Sequence, residues 1–134
     1  MNPAIFVMMV SYFNLDSNKQ IYFASDLHLG APNHNESRER ELLFCNWLDD
    51  IRNNAQALYI VGDLFDFWFE YKHVVPKGFV RILGKLADMS DSGVSLYFFP
   101  GNHDLWVRDY LINEIGFKMC KEPVIHSWNK HRFY

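Results

Sequence analysis

The 134-residue sequence predicts an α/β fold built on a parallel sheet, and three observations carry that prediction. Three short apolar runs, Ile21 to Ala24, Ala57 to Val61 and Val94 to Phe99, each end in a polar cluster, SDLH, GDLFD and PGNHD respectively. The two segments between them repeat apolar residues near helical spacing. A strand-helix-strand-helix-strand order implies parallel pairing through right-handed crossovers, so the three polar clusters meet at one edge of one sheet.

Residues 1 to about 18 show no periodic pattern leading into the first strand and are expected to be an extension ahead of a unit spanning 19–134. The run Ala4 to Val10 is apolar but too short to span a bilayer, and no Lys or Arg precedes it as in a signal peptide. The first strand, Ile21 to Ala24, is a β-rich run closed by polar punctuation. Between Glu36 and Asn53, Leu43, Trp47, Leu48 and Ile51 recur on one face with Glu and Arg opposite, which predicts the first crossover helix.

Ala57 to Val61 is the second strand. From about Pro76 to Ser92, Val80, Leu83, Leu86 and Ala87 share a face and Gly93 stands as a C-terminal stop, predicting the second crossover helix. Val94 to Phe99 is the third strand. Leu105 to Glu114 is expected to form a short helix, and Val124 to Trp128 with Arg132 to Tyr134 a hairpin turning at Asn129 and Lys130.

A hydrophobic share of 49% with 22% charged residues is that of a folded chain, and the length allows one domain at most. The formal net charge of −3, with Lys and Arg scattered among acids, argues against a nucleic-acid partner. Cys45 and Cys120 lie far apart with no metal-binding spacing, so reduced, buried thiols are expected.

Chemistry concentrates at the three strand ends. Asp26 and His28 flank Leu27, and on an extended backbone their side chains project to the same side, the spacing two ligands of one metal need. Asp63 follows Gly62, and a carboxylate has two oxygens with which to bridge two cations. Asn102 and His103 follow Gly101; an amide oxygen suits a hard cation, and an imidazole can donate a proton or steady an oxyanion. Each pair alone is explained by turn chemistry. Chance accounts poorly for three such pairs at three consecutive strand ends.

DLHLG at Asp26 to Gly30, GDLFDFW at Gly62 to Trp68 and GNHD at Gly101 to Asp104 resemble, in order, the first three motifs of the calcineurin-like metallophosphoesterases. The resemblance implies two sheets packed as a sandwich and flanked by helices, of which this chain would be an incomplete, N-terminal part. It implies a centre of two divalent ions, commonly manganese, with Asp26 and His28 on the first, Asp63 bridging and Asn102 on the second. Asn102 and His103 would meet the substrate, and His103 would assist the leaving group or transition state as the catalytic residue. Water activated by the ions would attack phosphorus in line, so no protein nucleophile is needed.

Within the family, GDLFDFWFEY and EPVIHSWNKHRFY resemble the branch that cleaves UDP-2,3-diacylglucosamine to UMP and an acylated sugar phosphate in lipid A biosynthesis. Many members of that branch carry Arg after the metal-binding Asn, where this sequence has His103. The branch implies a nucleotide-linked acylated sugar as substrate and a cytoplasmic protein, peripheral to the inner membrane. Phe65, Phe67, Trp68, Phe69 and Tyr71 would line an acyl-chain pocket or touch a membrane, or else belong to the core.

Similar enzymes draw three more histidines from later motifs that this sequence does not contain; His126 and His131 are not assigned to those roles. The chain alone is therefore expected to carry a weakened or dead site and to self-associate over an uncovered sheet face. Two rival readings are an esterase for another small phosphate ester and a non-catalytic scaffold that keeps the fold for binding.

Overall fold

A computed structural model describes residues 9–134. In chain order the elements are β1 (Val10–Phe13), β2 (Gln20–Ala24), α1 (His34–Ile51), β3 (Ala55–Val61), α2 (Val80–Asp91), β4 (Ser95–Phe99), a π-helical turn (Leu111–Ile115), β5 (Lys118–Met119), β6 (Ile125–Trp128) and β7 (His131–Phe133). One sheet runs β2-β3-β4-β5 with every neighbouring pair parallel; the other runs β1-β6-β7. The expected strands, crossover helices, hairpin and two-sheet α/β architecture are present.

β3 is central and buried on both faces, which is why it reads as a nearly continuous apolar run. Leu58 and Ile60 of β3, with Leu96 and Phe98 of β4, share a core with Phe44, Leu48 and Ile51 of α1 and Ile82, Leu83, Leu86 and Met89 of α2. On the opposite face Tyr59 of β3 stacks on Tyr97 of β4 at 4.6 Å and on Phe23 of β2 at 4.9 Å. Trp128 of β6 and Phe13 of β1 close over this aromatic row.

Five expectations need correction. Val10–Phe13 lies within the predicted extension yet forms a strand, parallel to Ile125–Trp128 at the far end of the chain; of the apolar run 4–10, residues 4–8 lie outside the described residues. The helix faces are rotated from the predicted ones: Leu43 and Val80 are 68% and 70% exposed, while Ser37, Glu41, Phe44 and Cys45 of α1 turn inward. Glu41 can be buried because its oxygens accept from Arg38 and from the backbone of Ile82. The predicted helix 105–114 shrinks to one π turn, since Trp106 bridges to Phe69 as a strand would, and buried Glu70 accepts from the Asp109 and Tyr110 N–H groups. Cys45 is buried, but Cys120 only half so; neither thiol is paired. The sheet face expected to lie open is covered in part by β1, β6 and β7, leaving Phe23 and Val61 about half exposed.

The aromatic cluster divides. Phe65 and Trp68 are fully buried and stack at 4.4 Å, whereas Phe67, Phe69 and Tyr71 face solvent. No helix among the described residues is long and apolar enough to cross a membrane.

Candidate metal centre

The loops after β2, β3 and β4 meet because their strands are parallel neighbours, as the order of elements predicts. The loops are also tied to each other directly. Asp26 and His28 donate backbone N–H groups to the Gly62 and Asp63 carbonyls at 3.2 and 2.9 Å. The Asp63 carboxylate accepts from the His103 N–H at 3.0 Å, joining the second loop to the third.

The loop after β2 is not extended as expected. Asp26 and His28 both adopt left-handed backbone, with φ of 55° and 45°, as does Asp63 at 52°. Such conformations cost on the order of 1–3 kcal/mol each for non-glycine residues and persist where the surroundings over-determine them, characteristically at functional sites. The two side chains still converge: His28 Nε2 lies 3.8 Å from Asp26 Oδ1 and 3.8 Å from Asp63 Oδ2. These gaps are too long for hydrogen bonds. They match donors facing one cation, because atoms each about 2.1 Å from a common centre stand about 3–4 Å apart.

His28, Asp63 and His103 each offer a donor atom within 4.8 Å of the others. The rings of His28 and His103 meet edge to face at 4.8 Å. Asn102 is exposed and precedes His103 on the same loop. Among the described residues, Asp26, Asp63 and Asp66 have no Lys or Arg ion-pair partner. A cluster of carboxylates without countercharge is the donor set a hard divalent cation requires. The residues present therefore fit the group.

Two residues inside the recognised motifs acquire roles that spacing alone did not reveal. Asp66 Oδ1 lies 3.5 Å from His28 Nδ1 and 3.3 Å from His103 Nδ1, so one carboxylate faces both imidazoles. His28 Nδ1 is buried with no hydrogen-bond partner of good geometry, and Asp66 is the acceptor positioned to orient that ring and leave Nε2 for a ligand role. His103 Nδ1 is 3.0 Å from the Asp66 carbonyl oxygen, an acceptor, so Nδ1 carries the proton and Nε2 is left for chemistry. Asp104, fully buried, accepts from the N–H groups of Gly101, Asp63, Leu64 and Phe65. Burial pushes its carboxyl pKa up, and those four N–H groups pull it back. The Asp that closes each of GDLFD and GNHD was the available signal for these residues.

His126 and His131 stand apart from this centre, on β6 and β7. Burial raises the thiol pKa of both Cys45 and Cys120, which keeps them protonated and poor as nucleophiles.

Comparison with known proteins points to the family that the motifs resemble. Residues 19–132 match the family model described as calcineurin-like phosphoesterase. The chain is 53% identical over 97 residues to a UDP-2,3-diacylglucosamine hydrolase of Porphyromonas gingivalis, covering 72% of this chain and 37% of that protein. Proteins of the same name from Nitrosococcus oceani and Haemophilus influenzae are 34% and 36% identical over 104 and 107 residues, each match covering 78% of this chain and 40% and 42% of theirs. The chain thus spans about two fifths of the length of the curated relatives it matches.

Proposed function

The chain belongs to the calcineurin-like phosphoesterase family, and from that membership we propose that the protein carrying it is a metal-dependent hydrolase of UDP-2,3-diacylglucosamine, releasing UMP and the acylated sugar 1-phosphate. The observation that carries the reaction class is the meeting of three loops around His28, with Asp26 and Asp63 each 3.8 Å from its Nε2. The 53% identity to a hydrolase of that name supports the substrate.

In this reading Asp26 and His28 would hold one divalent ion, Asn102 would hold a second, and Asp63 would serve both; manganese is the proposed metal. Such ions, when bound, polarise a phosphoryl oxygen and lower the pKa of water so that it can attack at neutral pH. The remaining work falls to the chain. Asp66 keeps the rings of His28 and His103 in register. His103, with Nδ1–H held by the Asp66 carbonyl, presents Nε2 to give a proton to the departing oxygen, and the Asp66 carboxylate steadies the imidazolium beforehand. Asn102 and His103, both exposed, would meet the phosphate ester.

Exposed Phe67 and Phe69 follow Asp66 in sequence, exposed Leu105 and Trp106 follow Asp104, and the rings of Phe69 and Trp106 lie 6.0 Å apart. An apolar rim beside a phosphate site supports a substrate with acyl chains. It also supports a cytoplasmic protein that works peripherally at the inner membrane, where such a substrate is met.

His103 favours a second reading, an esterase of broader taste for small phosphodiesters, because Arg is frequent at that position in the lipid-precursor branch. The test is UMP release from UDP-2,3-diacylglucosamine against hydrolysis of an aryl phosphodiester, both with manganese, in wild type and Asp63→Ala. UMP release at least about a hundredfold lower in the variant supports the proposal. Faster turnover of the aryl ester than of the lipid precursor would favour the second reading, and turnover unaffected by Asp63→Ala would sink both.

A further inference from the structure

Resting on the reading of Asp26 and His28 as ligands, we infer that Arg40 and Ser37 of α1 form a positioning clamp that sets the affinity of the first ion without touching it. The loop they hold carries two left-handed non-glycine residues, Asp26 and His28, and a loop of that shape must be restrained to persist. Its sheet-facing side is restrained by β3 and the loop after it: Asp26, His28 and Leu29 donate to the carbonyls of Gly62, Asp63 and Leu64. Its other side faces α1, and there the restraint comes from two side chains three residues apart on one helix face.

Arg40 Nε donates to the Leu27 carbonyl at 2.9 Å, and its Nη2 donates to the carbonyls of His28, at 3.0 Å, and Ala31. Ser37, buried, accepts from the Gly30 N–H at 2.7 Å. Carbonyls at positions 27, 28 and 31 and the N–H at 30 are thereby fixed from outside the loop, which sets the backbone from which Asp26 and His28 project. Among the described residues no carboxylate forms an ion pair with Arg40, so its guanidinium is committed to these carbonyls. A planar fork reaches three acceptors in fixed directions; a lysine ammonium on a flexible stem cannot hold the same three. None of the four groups the clamp bonds is a ligand, which makes Arg40 and Ser37 positioning residues.

The experiment is calorimetric titration of manganese into the metal-free protein, as its own gene encodes it, for wild type, Arg40→Lys and Ser37→Ala, alongside melting of each without metal. The expected result is a 10- to 100-fold weakening of one of the two binding events in Arg40→Lys, a smaller weakening in Ser37→Ala, and an unchanged second event. Wild-type affinity for both ions in both variants overturns the inference. If Arg40→Lys does not fold, Ser37→Ala decides alone. A wild-type protein that takes up no manganese defeats the proposed function instead. Amide exchange at His28 and Gly30 then tests the clamp by itself: exchange in Arg40→Lys no faster than in wild type overturns it.

Discussion

Asp104 Oδ2 accepts the Leu64 N–H at 2.8 Å, so a carboxylate from the loop after β4 caps the turn of the loop after β3. The same group takes the N–H of Gly101 at 2.6 Å, and more distantly those of Asp63 and Phe65. Four donors converge on one fully buried side chain, and none of them has a strand partner to return to.

Asp104→Asn is isosteric but presents an NH2 group to backbone donors. The expected outcome is a loss on the order of 3 kcal/mol, because buried N–H groups lose an ionised acceptor and meet another donor. Urea unfolding checks it, and a midpoint shift worth under about 0.5 kcal/mol would show that the cap contributes little.

His103→Gln separates two roles that the geometry brings close together. Its ring nitrogens stand near the donors of His28 and Asp63, yet Nδ1 is engaged by the Asp66 carbonyl. Acting on the leaving group, it should show kcat lowered roughly 10²- to 10⁴-fold, with KM and manganese affinity near wild type. Collapse of metal affinity in the calorimeter would make it a ligand.

Gly101→Ala tests the closeness of the second and third loops. A Cβ added at Gly101 would stand 2.6 Å from both the backbone nitrogen and the carboxyl carbon of Asp63. The nearest atom it would meet is the Asp63 carboxylate Oδ1, and the Asp63 backbone nitrogen beside it cannot swing away, so Asp63 must shift. Manganese binding should fall at least about tenfold, and stability should drop with it, by the 1–3 kcal/mol usual for overpacking. An alanine variant with wild-type metal affinity would show that Asp63 tolerates displacement.

What could be read from the sequence divides along a physical line. The strands before Asp26, Asp63 and Asn102, and the crossovers between them, follow from local periodicity and from the rule that makes parallel strands end together; this much of the site was legible. Val10–Phe13 was not, since it is a strand only by virtue of Ile125–Trp128, and its own four residues carry no alternation strong enough to announce it. The faces of α1 and α2 were misjudged because a pattern of apolar residues does not anticipate a buried Glu41, whose burial depends on Arg38 and on the backbone of a different helix. Asp66 and Asp104 stood in plain view within the motifs, but each reaches across to other loops, and only the assembled edge reveals that.

The space between the sheets makes its own prediction, about pH. Trp128 Nε1 can only donate, and it donates to the Tyr59 hydroxyl oxygen at 2.8 Å; the Tyr59 hydroxyl lies 2.6 Å from His126 Nδ1. The chain that satisfies all three runs from Trp128 to Tyr59 to His126, with Nδ1 an unprotonated acceptor. Burial, and after it the charge of Lys118, depresses the His126 pKa, and burial pushes the Tyr59 phenol up, so Tyr59 remains a donor throughout the working range. A histidine whose folded pKa lies below its unfolded value of about 6.5 binds fewer protons in the folded state. Its contribution to stability is therefore whole above about pH 6.5, and is lost as pH falls from there through the folded pKa. The melting temperature should fall between about pH 7.5 and pH 5, and fall less steeply in His126→Met, which removes the titration while keeping the volume apolar. Equal slopes in the two proteins would mean that the two-sheet contact is held by Phe13, Tyr97 and Trp128 packing alone, with the polar chain a passenger.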